Sequence, residues 1–346
     1  MPKKTPKSIL PLVQKIYDLQ NINSISKHEQ IVHGIINAID SGILIAGDKL
    51  PSINEMVAEI GYARKTFVKA YTELKERGLV ESKNLKGYYI ISTETNVTLK
   101  VALILFAFHS FQEDFYNTFR KELGEKFHID IFFHHNNIDL FRTILNNISG
   151  KYGMYVIAPI QQEATITLLK KISADRLLIV DRFIKMPSDY SYISQEFEEV
   201  TYQKLVGLTS KIKKYDRFVL FYKKQADYPQ GILKAFKRYC EDFDINGNIK
   251  ESYEEGSLEN HTAYFFISDS QLWKVLKDVR TMNYHIGKDI GVLAHDDNIV
   301  KELTFGGITT ISTNFSEMAK KAALFIKKGK RIQEIVPTYL YQRNSL

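Results

Sequence analysis

Two sets of residues in this chain have the types and spacing for recognition chemistry. The first is Arg64, Lys65, Thr66 and Lys69, which fall on one face of a predicted helix whose other face, Phe67, Ala70, Tyr71 and Leu74, is apolar at helical spacing. Guanidinium, ammonium and hydroxyl groups arrayed in this way donate to phosphate oxygens and to base edges. The second set recurs where apolar runs end: His109-Ser110-Phe111, His134-His135-Asn136, Pro159-Ile160-Gln161, Asp181-Arg182-Phe183, Ser268-Asp269 and His295-Asp296-Asp297. Hydrogen-bonding groups alternate there with aromatic rings, a mixture that suits a sugar, whose hydroxyls need partners and whose C–H faces pack on rings. The histidines do not read as a metal centre, because adjacent residues of a strand point to opposite faces and His134 and His135 cannot readily share one ion. No catalytic group, metal or cofactor is assigned.

The elements that must position the first set are legible nearby. Gly47-Asp48-Lys49-Leu50-Pro51-Ser52 leads into a helix opened by a capping-box pattern, Ser52 with Glu55. Gly61 supplies a sharp turn, the second helix runs from about Ala63 to Arg77, and Gly78 ends it as a left-handed cap. Gly78-Leu79-Val80 and Lys86-Gly87-Tyr88-Tyr89-Ile90 then read as a two-stranded wing. Upstream, Ser26 and Glu29 form another capping box, opening a supporting helix with Ile31, Ile35 and Ile39 inward and Gly42 just past its end. Residues 1–25 read as a lead-in in which Ile9, Leu12, Val13, Ile16 and Leu19 could form a short amphipathic helix.

Beyond a polar linker at residues 92–99 the rhythm changes. Apolar runs of strand length recur at 101–106, 129–133, 154–158, 177–180, 218–222, 264–267 and 290–293, separated by stretches with helical spacing such as Phe115, Phe119 and Leu123. Continuous buried strands alternating with helices predict parallel sheets covered on both faces, with ligands gathering beyond the carboxyl ends of the strands. Phe106-Ala107-Phe108-His109 lacks the glycine-rich turn that a dinucleotide enzyme needs after its first strand.

Composition sets outer bounds. The formal charge of +7 and pI near 9.0 favour a polyanionic partner, and 44% hydrophobic residues suffice for sizeable cores. Cys240 is the one cysteine, so no internal disulfide is possible and an oxidising compartment is not indicated. The apolar run behind Lys3, Lys4 and Lys7 is too short for a signal-peptide core, and no run approaches membrane-spanning length, the longest being about Val101 to Phe108. A cytoplasmic protein with no membrane partner is expected.

From Ser26 to Ser92 the chain resembles the winged helix-turn-helix domain of the GntR family of bacterial transcription regulators. The resemblance implies that Ser52, Arg64 and Thr66 contact DNA and that Gly87 sits at the wing tip near the minor groove. Asn54 stands where the family often has Arg, and Ala63 where a Ser usually caps the recognition helix. The expected DNA-binding set is therefore Ser52, Asn54, Arg64, Lys65, Thr66, Lys69 and Gly87. Residues 100–346 resemble the effector domain of the LacI family, the two-lobed type I periplasmic-binding-protein fold, best at Leu177–Arg182, Gly231–Phe236, Phe265–Asp269, Ile286–Asp297, and Gly307–Ala323 leading to the closing Tyr341-Gln342-Arg343. That likeness implies three crossings between lobes, near residues 213, 303 and 330. It places Asp296 where a carboxylate binds sugar hydroxyls, puts Ser268, Arg182 and Phe111 near the pocket, and sets Tyr228 where many members use an Arg on the ligand. Gln195-Glu196 replaces a usual Asp-Asn.

The expected architecture is α/β: an N-terminal winged helix-turn-helix domain (26–91) plus a two-lobed parallel-sheet periplasmic-binding-protein-like domain (100–346). The expected function is that of a repressor binding double-stranded operator DNA as a homodimer and responding to a monosaccharide, as in arabinose- or fucose-responsive chimeras that join these two domain types. The alternative is a sugar-modifying enzyme carrying a DNA-binding domain.

Overall fold

The computed structural model describes residues 9–20, 26–95, 99–107, 110–149, 151–224 and 228–346, and in it a helical head precedes two α/β lobes. The head comprises α1 (Leu10–Tyr17), α2 (Lys27–Asp40), α3 (Ile53–Ile60), α4 (Arg64–Glu76) and a hairpin of β1 (Val80–Lys83) with β2 (Gly87–Ile90). Both expected capping boxes form, Ser26 with Glu29 and Ser52 with Glu55. Gly61 (φ +78°) and Gly78 (φ +72°) adopt the left-handed conformation at the ends of α3 and α4, where a side chain would be strained.

The stretch before α3 has a structural task of its own. Its backbone runs beside β2, with hydrogen bonds from Gly47 N–H to Ile90 C=O (2.8 Å), from Ile90 N–H to Asp48 C=O (2.9 Å) and from Leu50 N–H to Tyr88 C=O (2.9 Å). The buried Tyr71 of α4 donates its hydroxyl to Pro51 C=O at 2.9 Å. The segment from Gly47 to Ser52 therefore ties the wing, the start of α3 and the middle of α4 into one unit.

The short amphipathic helix expected within residues 1–25 forms as α1, and it is part of the head and not only a lead-in to it: Leu12, Val13 and Ile16 are buried in the same core as Ile31, Ile35, Phe67 and Leu74. Close approach is what admits them. Gly34 of α2 has no Cβ, and one built there would lie 2.4 Å from Ile16 Cγ1 and 2.9 Å from Ile16 Cα.

In the first lobe β3 (Leu99–Leu105), α5 (Ser110–Leu123), β4 (Phe127–Phe133), α6 (Ile138–Ile148), β5 (Met154–Ile157), α7 (Glu163–Leu169), β6 (Leu177–Arg182) and β7 (Ser191–Gln195) follow in turn. The second lobe continues with α8 (Glu198–Gly207), α9 (Thr209–Ile212), β8 (Arg217–Phe221), α10 (Gln230–Asp242), β9 (Gly247–Lys250), β10 (Thr262–Phe266), α11 (Asp269–Thr281), β11 (Ile290–His295), α12 (Ile299–Leu303) and β12 (Thr309–Thr313). The chain then returns to the first lobe for α13 (Phe315–Lys328) and β13 (Gln333–Ile335), and crosses once more for β14 (Thr338–Tyr341). Strand order is β13-β7-β6-β5-β3-β4 in one sheet and β14-β12-β11-β10-β8-β9 in the other, and every pairing is parallel except β12 with β14. Each sheet is covered on both faces: Leu103 and Val156 pack with Phe119 and Ala322, while Ala102 and Ile104 pack with Phe141 and Leu145.

All seven strands expected from apolar runs are present, and β7, β9, β12, β13 and β14 are additional. The three crossings lie between Gln195 and Glu198, between Thr313 and Phe315, and between Ile335 and Thr338, not near residues 213, 303 and 330. The displaced crossings and the missed strands share a cause. β7 (Ser-Tyr-Ile-Ser-Gln) and β12 (Thr-Thr-Ile-Ser-Thr) are rich in hydroxyl side chains, so neither forms an apolar run although both are buried along most of their length.

Gly34→Ala should test the α1–α2 contact. Alanine gains up to about 1 kcal/mol of helix propensity over glycine, but overpacking a close contact costs about 1–3 kcal/mol, so a net loss of head stability is expected. The first transition of a thermal melt of the full chain should fall, and an unchanged or raised transition would show that α1 does not seat on α2.

Candidate functional site

The exposed face of the head collects the expected basic residues. Arg64, Lys65 and Lys69 of α4 and Asn54 of α3 are exposed, Thr66 is half-buried, and the opposite face of α4 is fully buried. Asn54 and Arg64 are joined, Arg64 Nη1 donating to Asn54 Oδ1, so the amide carbonyl is occupied and the pair presents mainly N–H donors outward. The Ser52 hydroxyl accepts from Glu55 N–H at 3.2 Å as a helix cap, and the Glu55 carboxylate, held below its ordinary value by the Ser52 backbone N–H and hydroxyl, closes the box. Gly87 is not itself the wing tip. The turn is Asn84-Leu85-Lys86, with Leu85 at φ +57°, and Gly87 (φ +98°) opens the returning strand opposite Lys83, its Cα facing the side chain of Lys49.

The other candidate site lies between the lobes. A cavity of about 610 Å³ is bounded by Phe111 and Arg182 from the first lobe and by Tyr228, Ser268 and Asp296 from the second, which brings all five expected effector residues to one place. Phe106, Asp181, Phe197, Asp269, His295 and Phe315 complete most of its wall. A more open space of about 800 Å³ adjoins it past Arg182, Gln195, Phe197 and Tyr228 and is lined further out by Asn136, Gln161, Lys224 and Lys234. Both volumes lie in the range of small-molecule sites. His109 lies outside the described residues.

Backbone strain concentrates at these strand ends. Asp181 (φ +67°) follows the buried part of β6, Asp296 (φ +56°) follows β11, and Asn136 (φ +57°) follows β4. Left-handed non-glycine residues cost about 1–3 kcal/mol each and cluster at functional sites; Asp and Asn are among the residues that tolerate the conformation best. The turn at Asp181 aims one carboxylate and the turn at Asp296 aims another into the same cavity.

The electrostatics divide the two carboxyls. Burial pushes Asp181 up, and the nearby Asp296 charge adds to the rise against opposition from Arg182 and the hydrogen-bonding Gln195 amide. Burial also acts to raise Asp296, but His295, whose Nδ1 lies 3.0 Å from Oδ1, outweighs it together with Lys301 and Arg182 and holds this carboxyl below its ordinary value. The Arg182 guanidinium is 4.5 Å from the centre of the Phe106 ring and 6.0 Å from that of Phe197, so the cation stands on aromatic walls with acids to either side. Asp297, by contrast, faces away from ligand duty: it takes a bidentate pair from Arg343 at 2.7 and 2.8 Å and a hydroxyl from Thr310 at 2.7 Å, fastening the closing segment to lobe two. Asp181 lines the same cavity and is absent from the expected effector set. Its place at a strand end was visible, but its direction depended on the left-handed turn.

Head and first lobe meet at the opposite ends of the strands. Glu76, the last residue of α4, pairs with Arg176 just before β6, and its carbonyl would lie 2.6 Å from a Cβ built on Gly153, just before β5. Gly78 abuts Lys100 of β3, whose ammonium is 2.9 Å from Asp130.

Comparisons with known proteins agree with this two-part construction. Residues 27–90 match the model of the gntR family of bacterial regulatory proteins, and residues 211–345 match that of a periplasmic-binding-protein-like domain. The HTH-type transcriptional repressor YtrA of Bacillus subtilis is 38% identical over 63 residues, 18% of this chain and 48% of that protein. The HTH-type transcriptional regulator SmoD of Agrobacterium fabrum is 37% identical over 67 residues, 19% of this chain and 29% of that protein. The chain thus spans less than half the length of either relative. Among solved structures, a LacI-family transcriptional regulator from Lactobacillus casei with bound glucose superposes with a TM-score of 0.60 at 16% identity, covering 71% of this chain and 99% of that one. A dimeric lac repressor with a C-terminal deletion gives 0.61 at 13% identity over 71% and 98%. The chain joins a gntR-type helix-turn-helix head to a two-lobed domain with the fold of LacI-type effector domains. Among the described residues no helix is long and apolar enough to cross a membrane.

Of the two histidines past the end of β4, His135 is exposed and His134 serves the core. His134 is fully buried between Phe106 and Phe141, its Nε2 3.0 Å from Ala158 C=O and its Nδ1 accepting from Asn136 N–H at 3.2 Å, an arrangement that suits the neutral ring. Burial pushes its pKa down to about 4 from an ordinary 6.5. As pH falls the unfolded chain therefore takes up this proton first, so the stability at stake is whole above about 6.5 and is lost progressively toward 4, by up to about 3 kcal/mol. Urea melts between pH 7 and pH 4.5 should show a shallower acid loss in His134→Gln than in the parent, and equal slopes would contradict the buried neutral ring.

Proposed function

We propose that this chain is a sugar-responsive, DNA-binding transcription regulator, a repressor that acts in the cytoplasm as a homodimer on a pseudo-palindromic operator. The observation that carries the reading is the convergence of Phe111, Arg182, Tyr228, Ser268 and Asp296 on one interlobe cavity in a chain whose head presents Arg64, Lys65 and Lys69 on an exposed helix face. A single recognition helix reads few bases, and pairing two heads on two half-sites supplies the missing specificity. The gntR-type match of the head and the dimeric lac repressor of like fold support this. In this role α4 enters the major groove, Arg64 braced by Asn54 takes the acceptor edge of a guanine, Lys65, Thr66, Lys69 and Ser52 take phosphates, and the wing beyond Gly87 lies toward the minor groove.

The effector is a neutral monosaccharide. Asp181, Asp269 and Asp296 line the inner cavity against one arginine, so hydroxyl donors are favoured and a phosphate facing Asp296 is repelled. Aromatic rings of Phe106, Phe111, Phe197 and Phe315 offer surfaces for the C–H faces of a sugar ring. The Lactobacillus casei regulator of the same fold binds glucose, which supports this ligand class. A sugar that binds one arrangement of the lobes better than another shifts the balance between them, and operator affinity shifts with it by linkage.

Gel-shift titrations with and without sugars, followed by sedimentation, test the whole reading. A monomer that binds an asymmetric site at full affinity would defeat the dimer. Arg64→Ala should weaken operator binding by about 1–3 kcal/mol and relax preference at one base pair; equal loss on all sequences with a flatter salt dependence would reassign Arg64 to a phosphate. In calorimetry of free and phosphorylated sugars, Asp296→Ala should abolish binding of the free sugar. Undiminished binding would refute the site, and binding of phosphorylated sugars alone would refute the ligand class.

A further inference from the structure

Lys301 of α12 is fully buried behind the wall of the cleft and touches no part of the cavity. An ammonium has three protons to donate and no capacity to accept. Here all three have acceptors: Asp296 C=O, His295 C=O at 2.8 Å, and Asp269 Oδ1 at 2.6 Å. Asn298 completes the cluster, its Nδ2 donating to Asp269 Oδ2 at 3.2 Å while its Oδ1 caps α12 by accepting Lys301 N–H at 3.0 Å.

Stability alone does not account for this lysine. Withdrawing an ammonium from water is costly, and a well-packed apolar side chain of similar length would fill the space without that cost. What an apolar side chain could not do is turn two successive carbonyls toward one point. Those carbonyls belong to the residues that form the left-handed turn at Asp296, whose φ is +56°, and the third bond fixes Asp269 at the start of α11 on the adjoining wall. One buried side chain thereby sets the direction of two ligand-facing carboxylates.

We propose that Lys301 is the positioning residue of the effector site: it holds the Asp296 turn and Asp269 in the orientation that pairs with sugar hydroxyls, without itself touching the sugar. The proposal rests on the sugar-effector reading for its ligand and deepens it. Asp296 is faced by His295 on its own strand, by Asp181 and Arg182 on β6 and by Lys301 on α12, and Lys301 is among the groups that hold its carboxyl low. Losing Lys301 therefore acts on Asp296 both through geometry and through charge. Sugar binding that needs ionised Asp296 is lost as pH falls through its titration, so without Lys301 the loss should begin at higher pH.

The test compares the full-length parent with Lys301→Met, which keeps a stem of similar length and removes the ammonium, and with Lys301→Met/Asp269→Asn, which also removes the partner charge and so protects folding. A ligand-free arm comes first: carbon-13 titration of the Asp296 carboxyl, assigned with Asp296→Asn, together with a crystal structure. In both variants the carboxyl should titrate at higher pH than in the parent and the turn at Asp296 should relax. An unchanged titration and turn would overturn the proposal whatever sugars do. In the second arm, L-arabinose, D-glucose and their phosphates are titrated calorimetrically against all three proteins. Affinity of a sugar that binds the parent should fall about tenfold or more in both variants, with the acid limb of binding moved to higher pH. Full recovery in the double variant would overturn the proposal, because Lys301 would then merely neutralise Asp269. A parent that binds none of these sugars, with the Asp296 titration shifted in Lys301→Met, would sink the sugar reading and leave the positioning role standing.

Discussion

Every strand in the first sheet, and all but one in the second, must run in the same direction, and the rest of the molecule depends on that. A parallel sheet buried on both faces collects its carboxyl ends along one edge and its amino ends along the other. Two such sheets, joined by three crossings, set one carboxyl-end edge against the other, and the residues just past β3, β6, β10 and β11 become neighbours although they are far apart in sequence. The cleft needs no further device to gather Phe106, Asp181, Ser268 and Asp296. The left-handed residues at the end of β6 and just past β11, Asp181 and Asp296, then choose which of these side chains point inward.

The same polarity places the head at the far edge. Its contacts with the first lobe are made just before β5 and β6 and at the start of β3, by Glu76 with Arg176 and Gly153 and by Gly78 with Lys100. β6 runs from that contact to Asp181 and Arg182, a span of about 20 Å for six residues. The Glu76–Arg176 pair is partly exposed, at 34% and 24%, so its own worth is small. The seat is defined more by the close approach of backbone at Gly153, where there is no side chain to give way. Couplings between distant sites are typically about 1–3 kcal/mol, a size that a few such contacts supply.

What the sequence revealed and what it hid follow from how each feature is encoded. The head was legible almost to the residue because its signals are local: Ser52 with Glu55, Gly61, the stripe of Phe67, Ala70, Tyr71 and Leu74, and Gly78 each act within one or two helical turns. The cleft was legible in outline because the residue after an apolar strand is easily found. The turn at Asp181, the buried Lys301 and the strand β7 were not, because each is fixed by tertiary partners. β7 is hydroxyl-rich and held between β6 and β13, and Lys301 looks in sequence like an ordinary exposed lysine of a short helix. The role of α1 depended on an absent side chain at Gly34, which only the packing of the two helices displays.

The seat of the head on the first lobe has an evolutionary reading. It uses few groups, at strand ends that share no residue with the cleft, and one family model matches the head (27–90) while a separate one matches residues 211–345 of the lobes. A lobe pair of this kind can accept a different head through changes confined to the short rim facing it, while the residues that line the cleft stay as they are.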